Sequence, residues 1–410
     1  MQLYAHQKEI ITDNKTKCGI WQGCGSGKTI TALMLAEGKT LVVCPKVLRE
    51  DKTWQANLQK IGKQLDLTVI SKEDLREADT LPHFDTLIID EADTCLGVTP
   101  NVMWRNREPL PKASQLFYKL LALKDRPKRL YLLTATVMKS PFTVWAAAVI
   151  LGKASLESHS RFRDIFYIKL PMGGRREVYA PKRDNQTKER LATFAKSLGY
   201  TGRLEDFADV PPQTYKDDYI ELTNEQLCML KEIQIEYPDP LVQIGKRNQV
   251  ENGILVGDEY RKGQYIKDNK IDRIVDYSVQ FPKMIVFARY SLQIQKIKQA
   301  LKDKNVFVLD GKTKDRGDMM NKLKEMDEYV LIVQSQVSAG WELPTCPVMI
   351  FASRDYSFVS HIQAQGRILR ANALKKNLYI NLIARGKTVD KAINDALINK
   401  EDFNERLYKI

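Results

Sequence analysis

Paired cysteines, clustered histidines and long apolar runs are all missing from this chain. Its six cysteines, at 18, 24, 44, 95, 228 and 346, form no C-x-x-C pair, and only four histidines accompany them, so neither a disulfide framework nor a zinc site is indicated. The longest apolar stretch, about Phe142 to Leu151, is too short to span a bilayer. The beginning, MQLYAHQKEI, lacks the pattern of a secretory signal, so a cytoplasmic protein with no membrane partner is expected. No solenoid-length repeat or low-complexity tract is present. Acidic residues are also in short supply: 51 stand against 64 basic ones, for a net charge of +13 and a pI near 9.2. A basic surface concentrates phosphate backbones, so a polyanionic partner is favoured over an acidic or neutral one.

At 410 residues the chain exceeds what one core usually supports, and two or three domains are expected. Its most informative segment is Gln22-Gly23-Cys24-Gly25-Ser26-Gly27-Lys28-Thr29. A glycine-rich loop between a strand and a helix turns backbone N–H groups toward phosphate oxygens. Lysine adds a point charge on the β/γ phosphates, and threonine can ligate Mg²⁺. Gly25, Ser26, Gly27, Lys28 and Thr29 are therefore candidate ATP-binding residues, Thr29 also a metal ligand. Gln22 occupies the first glycine position of the general GxxxxGK[ST] pattern, which marks a subclass. Some sixty residues later the apolar run Leu87-Ile88-Ile89 delivers Asp90, a carboxylate for the metal, and Glu91, a base for water.

Alternating apolar runs at Ile20-Trp21, Thr40 to Cys44, Leu87 to Asp90 and Leu130 to Leu133, with helical stretches between, predict a mostly parallel α/β sheet over residues 1–151. Residues 152–268 read as a partly helical insertion and connector, containing the basic stretch 171–183. A second alternating unit, 269–410, has strands expected at Met284 to Ala288, Val306 to Leu309, Val330 to Val333, Val348 to Phe351 and Leu378 to Leu382. It lacks a phosphate loop. Instead, a helix expected over Phe358 to Leu369 puts Gln363, Arg367 and Arg370 at i, i+4 and i+7 on one face, a phosphate clamp able to stabilise a transferring γ-phosphoryl group.

With these motifs in order, the chain resembles a superfamily 2 helicase over nearly its whole length. Gln7 matches the glutamine that reads adenine, Asp90-Glu91-Ala92-Asp93 the DEAD/DExx box, and Thr134-Ala135-Thr136 the S/T-A-T motif coupling ATP state to nucleic-acid contact. Cys44-Pro45-Lys46 with Trp54, Val210 to Gln213, Lys246 to Gly253, Ser338 to Leu343 and Ile383 to Asp390 are similar to segments of Swi/Snf-type DNA translocases, particularly the small phage-type forms. Ala135, where nuclear remodellers usually carry glycine, and Trp341-Glu342 depart from those enzymes and speak against chromatin remodelling.

The resemblance implies two RecA-like parallel-sheet lobes in tandem, ATP and Mg²⁺ as cofactors, Lys28, Glu91, Arg367 and Arg370 in catalysis, and Gln363 with the nucleotide. It further implies duplex or branched DNA as partner rather than RNA, a protein of replication or recombination as a further partner, and a bacterial or phage-infected cytoplasm. Lys46, Trp54, Thr134, Thr136, Arg289, Lys312 and Ser338 are the expected nucleic-acid contacts, although Trp54 reads equally well as a packed helix residue and Arg289 as a solvated strand end. Two other activities fit the same motifs: a strand-separating DNA or RNA helicase, and an ATP-gated loader that binds nucleic acid with little turnover.

Overall fold

The computed structural model describes residues 3–105, 108–170, 178–208, 210–258, 262–313, 315–337, 340–369 and 376–399. Two compact units divide the chain between 208 and 209. The first contains, in chain order, β1 (Lys17–Gln22), β2 (Lys39–Cys44), β3 (Asp66–Ser71), β4 (Thr86–Ile89), β5 (Val98–Arg105), β6 (Glu108–Ala113), β7 (Arg129–Leu133), β8 (Tyr167–Leu170), β9 (Val178–Pro181) and β10 (Gly199–Gly202). Six of these form one sheet in the order β10-β1-β7-β4-β2-β3, parallel throughout. β5–β6 and β8–β9 are antiparallel hairpins outside it.

Continuous apolar strands are what a sheet covered on both faces requires. Their alternation divides them cleanly. Leu41, Val43, Leu87, Ile89, Leu130 and Leu132 pack into one core, with Phe117, Phe142 and Trp145 from the covering helices. Val42, Cys44, Ile88, Tyr131 and Leu133 face the other, with Ala32, Leu33 and Trp54.

The second unit contains β11 (Gln213–Ile220), β12 (Ile254–Leu255), β13 (Gln264–Tyr265), β14 (Lys283–Ala288), β15 (Val306–Leu309), β16 (Tyr329–Gln334), β17 (Val348–Phe351) and β18 (Asn377–Ala384). Its sheet, β11-β18-β17-β14-β16-β15, is again parallel, with β12–β13 a separate small hairpin. The same parity rule applies: Met284, Val286, Ile332 and Ile350 face one core, and Ile285, Phe287, Leu331 and Met349 the other. Both units are thus RecA-like α/β lobes.

The stretch read as a connector belongs to both sheets. Its short strand β10 pairs with β1, and its polar strand β11 pairs along its full length with β18. The division at 208/209 accordingly falls inside 152–268. The basic residues 171–177 lie outside the described residues, whereas Lys182 hydrogen-bonds through Nζ to the Asp164 carbonyl oxygen at 2.8 Å.

Candidate nucleotide site at the strand ends of the first lobe

In a parallel sheet every strand delivers its C-terminal end to the same edge, where α/β proteins bind ligands. β1 ends in the glycine-rich loop, β4 in Asp90-Glu91 and the intervening β7 in Thr134-Ala135-Thr136. Three motifs distant in sequence are thereby gathered on adjacent strands.

The loop turns with Gly25 and Gly27 both at φ +80°, backbone that L side chains rarely adopt, and the helix Lys28–Leu35 starts directly after it. Gly27 is doubly constrained, because an added Cβ would lie 2.4 Å from Gln7 Nε2. Gln7 is buried on the helix Ala5–Asp13, and its amide donates to the Gly27 carbonyl oxygen (3.1 Å) and to Thr31 Oγ1 (3.4 Å). Its Oε1 accepts from the Tyr4 N–H at 2.9 Å. Gln7 therefore braces the phosphate loop. Beside it, His6 Nε2 meets the Ser26 carbonyl oxygen at 3.1 Å while its ring stacks on Phe207 at 3.8 Å. Lys28 Nζ donates to the carbonyl oxygens of Gln22 (2.8 Å) and Gly23 (3.0 Å), so the lysine lies folded over its own loop.

Asp90 is buried, its Oδ1 accepting from the Glu91 N–H at 2.9 Å. Burial first, and the adjacent Glu91 carboxylate second, push its carboxyl up to about 6, while Lys72 and Lys28 oppose the rise. That lysine influence places the loop's cation within electrostatic reach of Asp90. Asp90 and the Thr29 hydroxyl are hard oxygen donors of the kind Mg²⁺ takes, alongside water and phosphate, so the residues fit that ion without a dedicated protein cage. Glu91 has φ +47° and ψ +51°, a left-handed conformation rare for a side chain of its kind. Asp93 is also buried and raised, by burial and then by Glu91, and its Oδ1 accepts from Thr134 Oγ1 at 2.8 Å. Thr134 Oγ1 in turn accepts from the Thr136 N–H at 3.0 Å. The strand ends β4 and β7 are joined by this chain.

In the second lobe, the helix expected over Phe358 to Leu369 stops at Gln365, with Gly366 as its C-cap. Beyond it the chain tightens into short-range turns, Arg367 N–H bonding to the Ala364 carbonyl oxygen at 3.0 Å. Arg367 consequently does not continue a regular face. Its Nε donates to the Gln363 carbonyl oxygen (3.0 Å) and its Nη1 to that of Trp341 (3.0 Å), which still keeps Gln363 and Arg367 together. Arg370 and Ser338 lie outside the described residues.

Among the expected nucleic-acid contacts, two are withdrawn by burial. Trp54 is 0 % exposed in the core beneath β2, where an indole contributes packing rather than a surface platform. Thr134 is likewise fully buried, with its hydroxyl engaged by Asp93 and Thr136. Lys46 and Lys312 are exposed, Thr136 is half-buried, and the Arg289 guanidinium lies over the Tyr356 ring at 4.0 Å. The sequence reading missed Lys72, a buried lysine bonded to the Glu91 carbonyl oxygen. It also missed a buried ionic cluster in the second lobe. There Lys270 Nζ donates to Asp390 Oδ2 (2.9 Å), Asn252 Oδ1 (2.7 Å) and the Ala352 carbonyl oxygen (3.0 Å). Glu251 accepts from the backbone N–H groups of Val389 (3.1 Å) and Asp390 (2.8 Å), capping the helix Val389–Ile398. No sequence signal distinguishes these buried charges from surface ones.

A phosphate-loop lobe with an acidic strand end precedes a second lobe of the same α/β architecture, and part of that second lobe matches a helicase domain. The family model for the helicase conserved C-terminal domain matches residues 267–372, within that second lobe. No curated protein matches the chain. Among solved structures it is similar to the SWI2/SNF2 ATPase core of Sulfolobus solfataricus in complex with dsDNA, with 18% sequence identity, 97% of this chain and 91% of that one covered, and a TM-score of 0.42. Among the described residues no helix is long and apolar enough to cross a membrane.

Proposed function

We propose that the protein is an ATP-dependent DNA translocase that hydrolyses Mg·ATP at the strand ends of its first lobe. The observation carrying this reading is the convergence of the glycine loop, Asp90-Glu91 and Thr134 to Thr136 on one sheet edge, with Lys28 close enough to Asp90 to influence its proton affinity.

On ATP binding, Lys28 leaves the carbonyl oxygens of Gln22 and Gly23 for the β/γ phosphates, and the N–H groups of Gly25 and Gly27 take the oxygens between. Asp90 and Thr29 would hold Mg²⁺, which would neutralise charge on the phosphates when bound. Glu91 orients the attacking water and accepts its proton. The transition state spreads negative charge over the γ-phosphoryl oxygens, and Arg367 with Arg370 supplies the balancing cations from the second lobe. Closure that depends on the γ-phosphate is lost with it, and this differential interaction is what a stepping cycle requires. Lys46, Thr136, Arg289 and Lys312 contribute phosphate contacts that position DNA without reading its sequence. The net charge of +13 favours such a partner.

Steady-state ATPase measured without nucleic acid and with single-stranded, duplex and branched DNA and RNA, beside triplex-displacement and strand-displacement assays, tests the reading. Stimulation by duplex DNA with triplex displacement is expected. Release of a paired strand would replace translocation by unwinding, and absence of hydrolysis with every substrate would overturn the assignment.

A further inference from the structure

A lysine with no place in the helicase motifs is tied to the residue on which hydrolysis depends. Lys72 begins the short helix Lys72–Glu77, which follows β3 and is capped by Ser71. It is 7 % exposed. Its Nζ donates to the Glu91 carbonyl oxygen at 2.9 Å and to Thr94 Oγ1 at 2.5 Å. Thr94 Oγ1 passes a hydrogen bond on to the same carbonyl oxygen at 2.9 Å, and the Thr94 N–H reaches it at 3.1 Å. One carbonyl oxygen thus gathers three donors.

That carbonyl belongs to a residue in a costly conformation. Among the described residues only Asn14, Lys52 and Glu91 are non-glycine with positive φ. Asn14 closes the helix Ala5–Asp13, an ordinary place for such backbone, and Lys52 opens the helix Thr53–Ile61. Glu91 opens the 3-10 turn Ala92–Thr94 two residues beyond β4, as one of two adjacent carboxylates. Left-handed backbone costs a residue with a Cβ about 1–2 kcal/mol and persists where its surroundings enforce it.

The placement of Lys72 is itself unfavourable. A cation on the first turn opposes the partial positive charge of a helix start. Its hydrogen bonds go to neutral oxygens, and only the unbonded neighbouring carboxyls of Asp90 and Asp93, whose rise it opposes, offset burial of the ammonium. Residue type matters as well. β3 and β4 are separated by β2, and the four-carbon stem is what lets a group rooted after β3 reach the end of β4.

From this geometry we propose that Lys72 is the positioning residue for Glu91, clamping its carbonyl so that the peptide stays left-handed and the side chain leaves the backbone in the direction hydrolysis needs. The proposal rests on the ATPase reading above, in which Glu91 handles the attacking water. Lys72 bonds to the Glu91 carbonyl oxygen and to Thr94 Oγ1, and its charge also opposes the rise of the Asp90 carboxyl; the clamp acts through the first of these. Its removal therefore lowers turnover while nucleotide affinity, set by the glycine loop, is retained.

The test compares the full-length wild type, Lys72→Met, Lys72→Arg and Thr94→Val for DNA-stimulated kcat and KM, affinity for a fluorescent ADP analogue, and thermal melting. Lys72→Met keeps the stem and removes the donor. Its kcat is expected to fall about tenfold to a hundredfold, the scale of a misplaced catalytic group, with ADP-analogue affinity unchanged. Lys72→Arg, which restores a donor, should recover part of the loss. Unchanged kcat in Lys72→Met, or a loss of ADP-analogue affinity in step with kcat, would overturn the proposal. Should Lys72→Met fail to fold, Thr94→Val decides: lowered kcat supports the clamp and wild-type kcat overturns it. A wild type that hydrolyses no ATP under any condition defeats the ATPase reading itself and this inference with it, whereas an active wild type beside an equally active Lys72→Met defeats only the clamp.

Discussion

Each lobe buries a cluster of charges, and the two clusters are built on opposite principles. At the strand ends of the first lobe, Asp90, Glu91 and Asp93 crowd together, with Asp90 and Asp93 held protonated more readily than ordinary carboxyls and Glu91 on left-handed backbone. In the second lobe, Asp390 meets the Lys270 ammonium and the Ala384 N–H, while Glu251 accepts two N–H groups from the first turn of the helix Val389–Ile398. The first cluster keeps like charges close and carries backbone strain. The second pairs its main charges and uses them to fasten helix Val389–Ile398 to strand β18 and helix Pro240–Glu251. Like-charge crowding beside a phosphate loop fits the metal role proposed for Asp90, whereas a paired and capped cluster is a fastening.

Substitutions should separate the two in kind as well as size. The largest effect is expected from Glu91→Gln, which removes the base we propose for water: kcat falls by about a hundredfold or more, while the melting temperature holds or rises because a like charge beside Asp90 has gone. Steady-state ATPase and calorimetry on the same preparation check both halves, and a variant that melts early but hydrolyses normally would reverse the comparison. Asp390→Ala should do the opposite. It strands Lys270 as an uncompensated buried charge, destabilising the fold by about 3–5 kcal/mol in denaturant unfolding, with turnover per folded molecule retained at low temperature.

The smallest effect is a pH dependence. Burial chiefly, and then Asp390, raise the Glu251 carboxyl to about 7, with its backbone hydrogen bonds opposing the shift. A carboxyl raised on folding stabilises the native state fully only below its unfolded value and loses that contribution as pH rises through the folded one. Stability should therefore decline between about pH 4.5 and 7, and Glu251→Gln should flatten that decline. Equal slopes for wild type and variant in melting curves across this window would remove Glu251 as a contributor.

Much of this architecture was legible because it rests on local patterning. The apolar runs expected at Thr40 to Cys44, Leu130 to Leu133, Met284 to Ala288 and Val348 to Phe351 are strands, since buried parallel strands must be apolar on both faces. β3 escaped notice because its half-exposed residues, Asp66 to Ser71, dilute that signal at a sheet edge. The β5–β6 hairpin was masked by Pro100, Pro109 and Pro111, which lower strand propensity but are tolerated in an isolated pair; it carries Trp104 exposed near its tip. The glycine loop and Asp90-Glu91 were readable as strings, each lying within a few residues. Lys72 and Lys270 were not. A buried lysine is identified by what faces it, and the partner of Lys270 is 120 residues away.

The four-residue strand β10 has a consequence out of proportion to its length. Without it β1, the root of the phosphate loop, would be the rim of its sheet; with it, Gly199 packs so tightly on Gly19 that an added Cβ would sit 2.0 Å from the Gly19 carbonyl oxygen, and the Gly202 carbonyl oxygen accepts from the Gly23 N–H at 2.9 Å. An excised first lobe ending at 151, where the apolar alternation stops, would leave a row of open amides beside its glycine-rich loop, inviting strand capture by neighbouring molecules. The first compact unit accordingly runs beyond β10, to Ala208, and takes its last strand from a stretch whose sequence looks like a tether.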